Sequence, residues 1–275
     1  NLHPISPMSY DIRKMQMRML EILQETDRSV RGHGLRYYLE GGTLLGAVRH
    51  GGFIPWDDDA DISMPRPDYE EFIRHANEWL PPHFRLRCHL NDPDFPFYFA
   101  KIEDIRTTIV EGPTRPYTGG IFIDVFPIDG IPEDRKVRDR LYRRFRRQCK
   151  LLHFLHRDPY KHGKGPRSWW PLMLRRIYTR SGISRAVARN NSRFSFDESK
   201  TVGCYSPNYR TYLDREKVYG DGMPIMFEGT ELRGLLDNDA FLRKQYGDYM
   251  KLPPEDKRYN HGFLHVDFNK PYRQE

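Results

Sequence analysis

The segment EGGTLLGAVRHGGFIPWDDDADISM, residues 40–64, decides the fold. Four of its five residues from Asp57 to Asp61 are aspartates, set between Trp56 and an apolar run. Carboxylates so closely spaced repel one another, and a folded chain tolerates them in open water or around a cation. On a strand, alternate residues share a face. An extended conformation reaching back to residue 57 puts Asp57, Asp59 and Asp61 on one face, with Ala60, Ile62 and Met64 toward a core. One-sided carboxylates at short range suit a hard cation. An EF-hand loop fails as the explanation, because its sixth position is Ile62 rather than Gly and its twelfth is Asp68 rather than Glu. Upstream, Leu35, Tyr37 and Leu39 alternate as a short strand that runs into Gly41-Gly42-Thr43 and a brief helix, TLLGAVRH. A glycine turn entering a helix offers bare backbone N–H groups and a hydroxyl to phosphate oxygens. Phosphate cradle and carboxylate pair together point to phosphoryl chemistry.

Working outward, Ile12, Met15, Met19, Ile22 and Thr26 form the stripe of an amphipathic helix, stopped by Gly32 and Gly34. Pro67 opens another helix, closed by Pro81-Pro82. The runs FRLRCHL, FPFYFAKIEDI, TTIVEG and GGIFIDVF read as strands. Residues 1–130 therefore predict an α+β core with a mixed or antiparallel sheet. Residues 131–275 predict a mainly helical, basic region packed on that core, either as a second unit or as one continuous domain with it. Val137, Leu141, Phe145, Leu152 and Leu155 line one side of a helix whose other faces are mostly arginine. A looser tryptophan-bearing stretch follows, then a helix near 182–193 and a short one at DNDAFLRKQYGDYM.

The chain of 275 residues, with 38% apolar and 13% aromatic content, is long and apolar enough to fold around a real core, which excludes intrinsic disorder. Its three cysteines (Cys88, Cys149, Cys204) are odd in number and far apart, which argues against a disulfide framework and fits a reducing compartment. No long apolar run and no signal-peptide pattern appear, so a cytoplasmic protein, peripheral at the inner face of a membrane, is expected. The formal charge of +7 hides an asymmetry: residues 135–193 hold 19 Lys/Arg against Asp139 and Asp158, a local balance of +17. No nucleic-acid-binding module accompanies this charge, so nucleic acid is not expected as a partner. A basic amphipathic helix followed by Trp169-Trp170 fits an anionic membrane surface or a polyanionic acceptor.

Three motifs carry a resemblance. GGTLLGAVRHGGFIPWDDDADISMPRPDYEEF (41–72), GGIFIDVFPIDG (119–130) and YGDYMKLPP (246–254) resemble the LicD/fukutin-related phosphotransferases of the nucleotidyltransferase superfamily. The first motif is long and specific, and the three together span nearly the whole chain. The zinc-binding insertion of the animal fukutin-related branch is not visible, so the chain is more similar to the bacterial LicD branch. The resemblance implies a nucleotidyltransferase-type mixed sheet flanked by helices. It makes Gly42-Thr43 the phosphate-binding turn, with Gly41 beside it a further phosphate-binding candidate, Asp59 and Asp61 the metal pair, and Asp124 the third acid, all three acids being both catalytic and metal-binding. It also implies Mg²⁺ or Mn²⁺, two ions, and a CDP-activated alcohol, typically CDP-choline. The phospho-alcohol half would pass to a hydroxyl of a cell-surface glycan, such as a teichoic acid, lipopolysaccharide or capsule precursor.

From the residues alone, Asp124 within Ile, Phe and Val is too costly to bury unless paired or metal-bound. Asp129 before Gly130 reads as a turn residue. Arg49, Lys101 and Arg106 are candidates for the donor phosphates. Trp56, Tyr98 and Tyr117 are candidate walls for a quaternary ammonium group. His261, His265 and Asp267 read as structural or substrate-lining. Two other functions compete: a metal-dependent glycosyltransferase with Asp59-Ala60-Asp61 as its D-x-D, and a non-catalytic protein binding anionic surfaces. The glycine-threonine turn so close upstream disfavours the former.

Overall fold

The computed structural model describes residues 10–112, 117–160, 163–258, 260 and 262–272. Helix α1 (Ile12–Gly32) starts at Asp11, whose carboxylate accepts from the Lys14 N–H. Its stripe of Met15, Met19, Ile22 and Val30 is buried. Strand β1 (Tyr38–Leu39) leads directly into α2 (Gly41–His50). Gly51, at φ 69°, closes α2 in the left-handed conformation that glycine tolerates best. Within α2, a side chain at Gly46 would place its Cβ 2.4 Å from the Gly52 carbonyl, so this glycine lets the helix pack on its own exit loop. Strand β2 (Asp61–Pro65) follows, then α3 (Arg66–Trp79) with proline in its first turn.

Strands β3 (Phe84–Arg87), β4 (Ala100–Val110) and β5 (Thr118–Ile131) complete the sequence-predicted core. In the eight-stranded sheet the order runs β1-β2-β5-β4, with β3 also on β4. Strand β2 is parallel to β5, whereas β4 is antiparallel to it. Mixed pairing of this kind is what an α+β chain needs when one crossover carries a helix. The core beneath includes Ala60, Ile62, Met64, Ile102, Ile123 and Val125, all fully buried.

Beyond residue 130 come α4 (Arg135–His156), α5 (Pro166–Ile177) and α6 (Arg180–Asn191). The stretch expected to be loose around Trp169-Trp170 is thus helical, despite Pro171 inside it. Packing outweighs the lost backbone hydrogen bond there. Leu174 sits against Leu152, Leu155 and Ile183, and Arg175 donates to the carbonyls of Leu155 and Arg157. The chain then returns to the sheet. Strand β6 (Thr201–Cys204) pairs with β5, and β7 (Leu213–Asp214) with β6. A hairpin, β8 (Met223–Phe227) and β9 (Thr230–Gly234), precedes α7 (Asn238–Tyr246). Strand β10 (His265–Asp267) is antiparallel to β4. Strand β5 runs unbroken across residue 130, and the C-terminal region supplies edge strands as well as helices.

Candidate active site

Parallel pairing sets Asp61 of β2 directly beside Asp124 of β5, and antiparallel pairing sets Lys101 of β4 beside Asp124 on its other side. Asp61, Asp124 and Lys101 thus form one row across the sheet. All three, with Asp59 and Asp57, line a single cavity of about 1020 Å³. The alternation expected from sequence extends back to Asp57 although the regular strand begins only at Asp61. Asp58 turns the other way. It is buried and accepts from the Tyr10 hydroxyl at 2.7 Å and the Gly262 N–H at 3.2 Å, which ties the N-terminal helix entry to the C-terminal segment.

The first turn of α2 forms part of the cavity wall through Gly41 and Gly42. Gly41 has φ 53°, and a Cβ there would sit 3.3 Å from Asp61 Oδ2; one on Gly42 would sit 2.8 Å from Asp57 Oδ2. Both glycines let carboxylates approach a helix N-terminus, whose partial positive charge favours anions. Thr43 lies beneath rather than on the wall: its hydroxyl oxygen accepts the Asp61 N–H at 2.8 Å, and the Glu40 N–H donates to the Asp61 carbonyl at 3.0 Å. The turn therefore fixes the first residue of β2 from both sides.

Lys101, only 2% exposed, donates to Asp124 Oδ1 at 2.8 Å and lies 3.3 Å from Glu111 Oε1. Its ammonium also sits 3.1 Å from the centroid of the Phe122 ring. This buried cation offsets part of the carboxylate charge from below. Burial nevertheless pushes Asp124 up to about 7; Lys101 acts against that, while the charges of Glu111 and Asp59 add to it. Glu40, at the mouth of the glycine turn, is likewise raised to about 7 by burial.

The other sequence candidates are placed as follows. Arg49 is off the cavity wall and donates to the Tyr249 carbonyl at 2.7 Å, pinning the loop after α7. Arg106 pairs bidentately with Asp104, at 2.8 and 2.7 Å, beside an irregularity in β4. Trp56 and Tyr98 line the cavity. Tyr117 packs behind it, donating to Glu103 with Arg87 over its ring. Asp129 is fully buried and takes both arms of Arg66 at 2.6 and 2.7 Å, so it is a structural ion pair rather than a turn residue. His265 opens β10 at the sheet edge; His261 lies outside the described residues.

Sequence reasoning missed Glu40, Glu111, Gln245, Tyr246 and the loop around Tyr205–Tyr209, all of which line the cavity. A signal existed for two of them, since Glu40 abuts the glycine turn and Tyr246 opens the third motif. The hard carboxylate oxygens of Asp59, Asp61 and Asp124 suit a divalent cation of the Mg²⁺ type. Among the described residues no three acidic, histidine or cysteine side chains already converge closely enough to hold one. Lys101 occupies one Asp124 oxygen in this arrangement.

Residues 34–151 match the LicD/FKTN/FKRP nucleotidyltransferase domain. Over that stretch the chain is similar to the LicD family. The chain is similar to the lipopolysaccharide cholinephosphotransferase LicD of Haemophilus influenzae, with 28% identity over 91% of this chain and 95% of that protein. It is also similar to the ribitol 5-phosphate transferase FKRP of Homo sapiens, with 55% identity over 49 residues, 16% of this chain and 10% of FKRP. An uncharacterised protein of Rickettsia typhi shares 39% identity over 27% of this chain and 24% of its own length. The matched stretch contains all three carboxylates and Lys101. Tyr205, Gln245 and Tyr246, which close the cavity, come from beyond it.

Proposed function

We propose that the protein is a Mg²⁺-dependent phosphotransferase that moves a phospho-alcohol group, phosphocholine from CDP-choline, onto a hydroxyl of a cell-surface glycan. The observation that carries the proposal is the Asp61–Asp124–Lys101 row, with Asp59 facing the same cavity beside the N-terminus of α2, within the stretch similar to the LicD family. The full-length likeness to a cholinephosphotransferase and the local likeness to a ribitol phosphate transferase support the reaction class.

Asp59, Asp61 and Asp124 would hold Mg²⁺, which when bound neutralises phosphate charge and acidifies an attached hydroxyl. The remaining work belongs to the chain. The first turn of α2 receives the donor phosphates at Gly41 and Gly42, which carry no side chain of their own. Asp124, on the cavity wall between Asp61 and Lys101, suits acceptance of the acceptor's hydroxyl proton. The acceptor oxygen then bonds to phosphorus as the bond to the CMP oxygen breaks, and CMP leaves. Phe97, Tyr98, Phe99 and Phe126 supply an aromatic wall near Glu111, chemistry that suits a quaternary ammonium group.

A donor comparison tests this reading. With Mg²⁺ and a glycan acceptor, CMP release is expected from CDP-choline and more slowly from CDP-ribitol, with no UDP release from UDP-glucose. Turnover of UDP-glucose alone would instead make Asp59-Ala60-Asp61 a glycosyltransferase D-x-D.

A further inference from the structure

Helix α5 leaves one face open. Trp169 is 68% exposed, Trp170 60%, Met173 42% and Ile177 62%, and Tyr178 follows at 42%. Their spacing of one, four and eight positions from Trp169 puts all four helical residues on one side. Large aromatic side chains cluster on a solvent-facing surface far less often than single apolar residues do, so a partner is implied. The opposite side of α5 is anchored. Leu174 packs on Leu152, Leu155 and Ile183, and Arg175 caps two carbonyls at the end of α4. The exposed face is therefore presented by a fixed helix.

The charge of the helical region identifies the partner. Residues 135–193 carry 19 Lys/Arg against two aspartates. Arg143, Arg144, Arg146 and Arg147 of α4 are exposed. Arg144, Arg189 and Arg193 line a shallow groove of about 340 Å³ between α4 and α6. Exposed tryptophans within a strongly basic three-helix region match the two layers of a bilayer surface: apolar rings reach the acyl boundary while guanidinium groups meet phosphate headgroups. Among the described residues no helix is long and apolar enough to cross a membrane. We infer that the α4–α6 helices form a peripheral docking surface for an anionic lipid bilayer, with Trp169, Trp170, Met173 and Ile177 as the inserted face.

The inference makes no use of the catalytic reading, so either can fail alone. Its test is sedimentation of the whole protein with vesicles. The parent should bind vesicles of equal phosphatidylglycerol and phosphatidylcholine, should not bind phosphatidylcholine alone, and should release as salt rises. Trp169→Ser/Trp170→Ser should weaken binding by roughly tenfold or more, since two apolar anchors are lost. Arg143→Gln/Arg144→Gln/Arg146→Gln/Arg147→Gln should weaken it at least as much, because each basic group near such a surface contributes roughly fivefold. Both variants alter exposed positions, so their melting temperatures should match the parent's. A parent that ignores anionic vesicles, or a tryptophan variant that binds them like the parent, overturns the inference. So does self-association that the tryptophan variant abolishes and vesicles leave intact, which would give the face to a second copy. Retention of a single-stranded RNA probe by a protein that ignores vesicles would give it to nucleic acid.

Discussion

Asp61→Asn is expected to lower kcat/KM for phosphoryl transfer by on the order of 10³-fold while leaving the ligand-free protein as stable as the parent. The backbone of Asp61 does the structural work: its N–H goes to Thr43 and its carbonyl receives the Glu40 N–H, and both bonds survive the substitution. The side chain does something else. Asp61 faces a cavity already holding Asp57, Asp59, Asp124, Glu40 and Glu111. Removing one charge from such a crowd relieves repulsion, so the apo fold loses little. Binding of a cation and of donor phosphates loses a ligand that an amide replaces poorly. Initial rates at saturating Mg²⁺, paired with melting curves, check both halves. Parent-level turnover would remove Asp61 from the site, and a broad, destabilised melt would make its role structural.

Arg66→Met is expected to cost about 3–5 kcal/mol of stability, among the largest effects available from one substitution outside the cavity. Asp129 is 0% exposed and receives both guanidinium arms of Arg66, which is itself buried. Even in the parent, burial pushes Asp129 above its ordinary value, with Arg66 acting against the shift. Without Arg66 no other cation among the described residues pairs with the buried charge. At this chain size the loss corresponds to a fall in Tm on the order of 10 °C. The sign of the pH dependence follows from linkage. A carboxyl whose folded-state pKa is raised favours the folded state below its unfolded pKa, and that contribution is lost as pH rises through the folded pKa. The deficit of Arg66→Met should therefore be greatest at neutral pH and shrink toward pH 4, about the unfolded value of an aspartate. Arg66→Met/Asp129→Leu should recover most of the loss, since a buried pair replaced by apolar groups is often near neutral. Guanidinium unfolding at several pH values measures all of this; a deficit that grows on acidification would contradict the ion-pair account.

The site was legible where it depends on local periodicity. Alternation along 57–61 put Asp57, Asp59 and Asp61 on one side, and the cost of a carboxylate within Ile123 and Val125 singled out Asp124. What was not legible depends on register between distant strands. Nothing near Lys101 in sequence says that β4 will pair it with Asp124, so its commitment to that carboxylate emerges only from the sheet. The same holds for Arg66 and Asp129, which β2, α3 and β5 bring together. Strands β6 and β10, of four and three residues, are too short to show alternation, so the C-terminal region read as mainly helical. Helix α5 was hidden by Pro171, whose penalty is outweighed by packing on α4 and α6.

The central claim is that Asp59, Asp61 and Asp124 form one metal-binding centre beside the α2 N-terminus. A crystal grown with Mn²⁺ and CDP-choline tests it most directly, because manganese scatters anomalously. The account predicts anomalous peaks within ligation distance of all three carboxylates, with the donor phosphates against Gly41 and Gly42. It also predicts that Lys101 has released the Asp124 oxygen. Manganese elsewhere, or a donor bound away from this cavity with Lys101 still on Asp124, would contradict it.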